Sequence, residues 1–336
     1  MITLTPPKIG LAGKFSLEVR KAATGQLVRR IEPFSNHILN QGLNWLGSRT
    51  VPGIDGIPSM SEFFIGTNTT APTDTDIEMG GTWRQNDTHI TSNNNNLGAP
   101  DYVAYWTGTR RWNAGNATGT WTSVGIGAYS ATGPVNRLFS RALIVDGAGN
   151  PVSITVLSDE YLDVTYTLEL HAVTGDFSGS FDLSGVTYNY TGRRSFANLW
   201  SLGGSWYNFK LILSVDPWSA NVPHHAVYYP LGLPSAVALG PITDTLTNAS
   251  TLNIDYATYS NASYVAGSYT TTCTETYGLS VANHANGIIG FSRGLSSGGS
   301  SNYPKSGWQI LLDKVIPKTS SKILTLTWSA SWGRKP

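Results

Sequence analysis

The strongest constraint on this chain is a strict alternation of apolar and polar side chains. Phe15, Leu17 and Val19 alternate with Lys14, Ser16, Glu18 and Arg20. Much later, Val164, Tyr166, Leu168 and Leu170 alternate with Thr165, Thr167, Glu169 and His171. Neighbouring side chains of a strand point to opposite faces of a sheet, so each run has one buried and one wet face. A helix of period 3.6 would scatter these rows around its circumference. Between the first run and residues 27–31, Ala23-Thr24-Gly25-Gln26 supplies a turn, which predicts a β-hairpin.

The wet faces are built mostly without charge. Only 13% of the 336 residues are charged, while 40% are hydrophobic and 11 are Trp. Ser, Thr, Asn and Gly must therefore cover the surface, a composition that suits strands, turns and subunits packed against neighbours. A disordered chain could not carry that apolar content. Further strands are expected at 62–66, 102–106, 107–112, 121–126 and 138–145, and shorter ones at 251–256, 263–265 and 269–277. Residues 84–101, with Asn93-Asn94-Asn95-Asn96, read as a solvent-facing excursion.

One segment leaves the period of two. Leu39, Leu43 and Leu46 fall at helical spacing beside Ile38 and Trp45, with Asn36 placed to cap and Gly47 to stop. The spacing predicts one short helix over about 36–46. Gly42 inside it costs about 1 kcal/mol relative to alanine, so packing has to hold the helix.

Near residue 173 the chain becomes richer in Ser, Gly and Tyr, which places a domain boundary between 1–172 and 173–336. Residues 154–170 also align without a gap on 316–332. Ile154, Ser158, Leu162 and Thr165 recur as Ile316, Ser320, Leu324 and Thr327, and Tyr166 meets Trp328. Each copy is expected to close one sandwich. The expected fold is all-β: two antiparallel β-sandwich domains, Ig-like or jelly-roll-like, with one short N-terminal helix.

Several function classes receive no support from the residues. Net charge is +1, and the 22 basic residues are scattered and cluster no further than doublets, so no broad field points to nucleic acid. Residues 1–7 do not read as a signal peptide, and no run approaches the ~18 apolar residues of a membrane helix. The lone Cys273 reads as a small buried apolar residue. The six histidines form no metal-binding spacing, and the His224-His225 pair points to opposite sides of an extended chain. Asp74, Asp76 and the Asp159-Glu160 pair are the carboxylates a glycosidase reading would need, yet each sits in a turn sequence where Asp supports local backbone bonds. No dinucleotide fingerprint is present. No catalytic, cofactor or metal residue is therefore assigned, and no enzyme activity is expected.

The aromatic excess is what remains. Trp200, Trp206, Tyr207, Trp218, Tyr228 and Tyr229 crowd the start of the second half. They fit a sandwich core, a subunit interface or a glycan-binding surface.

Three stretches resemble building blocks of tailed-bacteriophage virion proteins. The first is the opening hairpin with Phe34-Ser35-Asn36-His37-Ile38-Leu39-Asn40-Gln41-Gly42-Leu43. The second is Phe64-Ile65-Gly66-Thr67-Asn68-Thr69-Thr70-Ala71-Pro72-Thr73-Asp74-Thr75-Asp76. The third is Leu138-Phe139-Ser140-Arg141-Ala142 with Ile154-Thr155-Val156 and the strand through Tyr166-Thr167-Leu168. The terminal Ser329-Ala330-Ser331-Trp332-Gly333-Arg334 adds to the likeness. The resemblance implies a structural subunit of a tail or baseplate, made in the host cytoplasm and ending in the virion. It implies other tail or baseplate proteins as partners and a homo-oligomer, trimeric or hexameric, with no nucleic acid and no membrane insertion. A receptor-binding fibre or spike module that takes host surface glycan is the alternative, and a polysaccharide-degrading enzyme the outsider.

Overall fold

The computed structural model describes residues 2–47, 62–96, 103–129, 136–171, 173, 175–196, 224–230, 239, 252–283, 287–295 and 306–335. They are mostly β. The opening strands are β1 (Ile2–Leu4), β2 (Ile9–Lys21), β3 (Leu27–Ser35) and β4 (His37–Ile38), followed by helix α1 (Asn40–Gly47). Next come β5 (Glu62–Gly66), β6 (Trp83–Gln85), β7 (Thr88–Asn96), β8 (Val103–Trp112), β9 (Gly119–Trp121), β10 (Ser123–Tyr129) and β11 (Asn136–Leu143). Then follow β12 (Ile154–Val156), β13 (Glu160–His171), β14 (Phe177–Leu183), β15 (Val186–Phe196) and β16 (His224–Pro230). The chain closes with β17 (Leu252–Tyr256), β18 (Thr258–Asn261), β19 (Thr270–Tyr277), β20 (Ile288–Leu295), β21 (Ser306–Ile316) and β22 (Leu324–Arg334).

A nine-stranded sheet runs β18-β19-β22-β2-β13-β8-β7, with β1 added to β22 and β3 to β2. A five-stranded sheet runs β4-β11-β10-β5-β6 and a six-stranded sheet β14-β15-β21-β20-β16-β17, while β9 and β12 pair alone. The hairpin expected from residues 14–31 is β2–β3, and Gly25 in its turn has φ +70. The alternating run of 164–170 lies in β13, paired from end to end with β2 and with β8 on its other side.

Alternation then decides burial. Leu162, Val164, Tyr166, Leu168 and Leu170 are fully buried. Removing such side chains from water contributes about 1.5–3 kcal/mol each. Tyr166 is the centre of this core, with Phe15 at 4.6 Å, Phe63 at 6.2 Å and Trp106 at 6.3 Å between ring centroids. Its hydroxyl receives a hydrogen bond from Asn36 Nδ2 at 3.0 Å, and burial pushes its pKa up. The outward face carries hydroxyl pairs instead: Thr107–Thr167 and Thr109–Thr165, each at 2.9 Å. Cross-strand Thr pairs stabilise a sheet without a charged surface.

Two main buried clusters share the nine-stranded sheet. The first joins β2, β8 and β13 to β5, β10, β11 and α1. The second joins β1, β19 and β22 to β15, β20 and β21. β22 serves both: Leu324, Leu326 and Trp328 lie in the second cluster and Trp332 in the first. The 172/173 division falls just after β13, and β22 recrosses it to pair with β2. Cys273 is buried, as expected.

Several expectations change. The nine-stranded sheet is not purely antiparallel, because β22 runs parallel to both β1 and β2. A strand that returns from the far end of the chain has no tight turn to force an antiparallel partner. The echoed segments 154–170 and 316–332 do not occupy separate sheets: β13 and β22 flank β2 in the same one. The helix begins at Asn40 rather than near 36. His37 and Ile38 are taken as strand β4 by the edge of β11, so Asn36 binds Tyr166 and caps nothing. Gly42 survives there because a Cβ would collide with the backbone of Phe139. Residues 88–96, expected as an excursion, form strand β7, because backbone pairing with β8 needs no apolar row. Residues 103–112 form one strand, β8, rather than two, and 263–265 are not a strand; β18 forms just before them. The hairpin β14–β15 was not expected, although Phe177, Phe181 and Leu183 alternate with Ser178, Ser180 and Asp182. Ser184 (φ 54) and Gly185 (φ 79) close it in a tight turn. Cross-strand rings cover its glycines, Phe177 over Gly192 and Tyr190 over Gly179.

Candidate functional site

Parts of the stretches singled out in the sequence meet in one place. They are β4 with the start of α1, the loop 67–82, β11, and the end of β22. The loop runs out from β5 and returns to β6, and three side chains tie it down.

Arg141 is the innermost. It stands in β11 among apolar neighbours, and its side chain is only 2% exposed. Its Nη2 donates to the Thr70 carbonyl at 2.7 Å and lies 3.0 Å from Asp76 Oδ2, while Nη1 reaches the Met79 carbonyl at 3.4 Å. Burial lowers its pKa and Asp76 opposes that fall. A planar guanidinium can serve several acceptors at once, where a lysine ammonium would offer a single point charge. Asp76 also accepts the Thr73 hydroxyl at 2.6 Å, which closes the loop on itself.

Asp74 is the outer tie. One oxygen lies 2.6 Å from His37 Nε2 and 3.1 Å from Arg334 Nη2, and the other accepts from Arg334 Nη1 at 3.2 Å. Arg334 reaches further: Nε donates to the Ile38 carbonyl at 2.6 Å and Nη2 to Asn40 Oδ1 at 2.8 Å. Gln41 is the third tie, with Nε2 donating to the carbonyls of Ile77 and Leu138, both at 2.7 Å. Beneath the loop, Leu39, Phe64, Met79 and Leu138 form a small buried cluster.

Behind α1 the junction is latched by aromatic groups. Trp332 Nε1 donates to the Leu43 carbonyl at 2.8 Å, and Tyr264 stacks on Trp332 at 5.9 Å. The Tyr264 hydroxyl then donates to Asn44 Oδ1 at 2.7 Å.

The chemistry here is fastening. His37 and Asp74 form a dyad, but Asp74 is shared with Arg334 and its backbone carbonyl accepts the Asn40 N–H at 2.9 Å. Asp159 pairs with Lys21 at 2.9 Å, and Glu160 with Arg29 at 2.9 Å and Lys21 at 3.2 Å. Each carboxylate weighed for catalysis is thus engaged by a cation. Beside the junction a polar cleft of 370 Å³ opens between β2 and the ends of β3 and β22. There Lys14 lies 2.8 Å from Glu169, which also pairs with His171 at 2.9 Å. Among the described residues no group of three or more His, Cys, Asp or Glu converges as a metal site.

No family model, curated protein or solved structure matches this chain. The site therefore rests on its own geometry. Of the aromatic residues singled out, Trp200, Trp206, Tyr207 and Trp218 lie outside the described residues. Tyr228 and Tyr229 occupy successive positions of β16, opposite Ile254 and Asn253 of β17. Sequence reasoning did not give Arg141 or Arg334 a role. The available signal was a charged residue inside an apolar strand: Arg141 interrupts 138–145, and a charge in that position needs buried partners.

Proposed function

We propose that this chain is a non-enzymatic structural subunit of a tailed-phage tail or baseplate, joining its neighbours through strand edges and aromatic patches. One observation carries the reading: parts of all the segments that resemble virion proteins come together in a single fastened junction. Arg141–Asp76 and Arg334–Asp74 bind β11, the 67–82 loop and β22 into one block. Groups engaged in internal ties favour a scaffold over a reaction centre. The two main buried clusters fit two β-sandwiches that share the nine-stranded sheet. A shared sheet makes a stiff body, which suits a part that must transmit shape across an assembly. The glycan-binding alternative leans on aromatic residues of which four lie outside the described set, and no structural observation favours it.

Deletion of the gene tests the proposal. Lysates of the deletion phage should contain particles with missing or malformed tails, restored by supplying the protein in trans. Morphologically complete, fully infective particles without the protein would refute it.

A further inference from the structure

We propose that β14 is a homotypic docking edge, at which a second copy of this chain pairs antiparallel about Gly179. The inference names the contact behind the assembly reading, and its place in a virion rests on that reading. β14 ends the strand order of the six-stranded sheet, and among the described residues no strand pairs with its outer edge. Natural edges are usually blunted by Pro, Lys or a bulge. β14 has no Pro, Lys or bulge and only one charge, Asp182 near its end: its sequence is FSGSFDL, and its register with β15 runs without a shift from Phe177 to Leu183.

The occupant follows from the sequence of the edge itself. Phe177-Ser178-Gly179-Ser180-Phe181 reads the same in both directions. A two-fold axis through Gly179 therefore sets Phe177 against Phe181 of the partner subunit and Ser178 against Ser180 of the partner subunit. An isologous contact needs that self-complementarity. Phe177, Phe181 and Leu183 are only half-buried within one chain, and Phe181 stacks on Tyr188 at 5.5 Å. A second copy would continue this aromatic row and cover it. The same register brings Asp176 opposite Asp182 of the partner subunit. Asp176 is already neutralised by Arg193, at 2.5 and 2.8 Å. A hexamer built as three such dimers accommodates the contact, whereas a trimer without two-fold axes does not.

Light scattering after size exclusion tests this on the full chain. Ser178 and Ser180 are exposed, so charges there leave the fold intact, which an unchanged circular dichroism spectrum verifies. The double variant Ser178→Lys with Ser180→Lys sets like charges across the axis and should halve the native mass. The double variant Ser178→Lys with Ser180→Asp sets opposite charges across it and should keep the native mass. A wild-type monomer would overturn the proposal. So would an oligomer whose mass neither variant changes, and that outcome would leave the assembly reading standing on another edge.

Discussion

The indole N–H of Trp332 donates to the backbone carbonyl of Leu43 at 2.8 Å, joining the last strand to the helix near the start of the chain. Trp332 is 1% exposed and lies in the first core, although its own strand begins in the second. One side chain thus fastens α1 to the strand that serves both buried clusters. Replacing it with Phe keeps most of the packing and loses the bond, at about 1 kcal/mol. Replacing it with Ala should cost about 3–5 kcal/mol. Urea unfolding of both variants checks the order and the gap.

Arg141 should matter more than its distance from any ligand would suggest. Arg141→Ala removes the cation beside Asp76 and one donor each from the carbonyls of Thr70 and Met79. The expected loss is about 3 kcal/mol, at the low end for a broken buried pair because Asp76 is 24% exposed. Limited proteolysis should cut first within 67–82 in the variant and not in the wild type.

Gly42→Ala gives a test of sign. In an ordinary helix the change stabilises by about 1 kcal/mol. Here the new methyl meets the Phe139 backbone, so the variant should be destabilised by about 1–3 kcal/mol. A higher melting temperature would show that α1 does not approach β11 so closely.

Acid should loosen the hairpin end through Glu160. Burial raises its pKa, but the Leu157 N–H, Arg29 and Lys21 together hold it below the ordinary carboxylate value. A depressed folded-state pKa gives stability that is present above the unfolded value, about 4.3. That stability is lost as pH falls through the folded value. Glu160→Gln should therefore be less stable than wild type near neutrality, with the difference closing as pH drops below about 4. Thermal unfolding of both proteins across that range measures it.

Legibility in the sequence followed the strength of the apolar row. β2, β3 and β13 were readable because Phe15, Leu17 and Val19, or Val164, Tyr166 and Leu168, leave one register that buries them. The helix start was not, because β4 forms by pairing with β11, a partner about a hundred residues away. β7 was not, because an Asn-rich edge strand is held by its backbone. The junction was half legible: its four segments stood out as phrases, but their meeting depends on Arg141 and Arg334 finding Asp76 and Asp74 in space. The parallel placement of β22 against β2 left no trace in either strand's own alternation.

On the proposed function this protein is a stoichiometric part of a tail. Quantitative mass spectrometry of purified particles, normalised to the major capsid protein, measures that directly. The account predicts a fixed copy number per particle in a whole multiple of the tail's rotational symmetry, retained after high-salt washing. Absence from washed particles, with the protein abundant in the lysate, would contradict it.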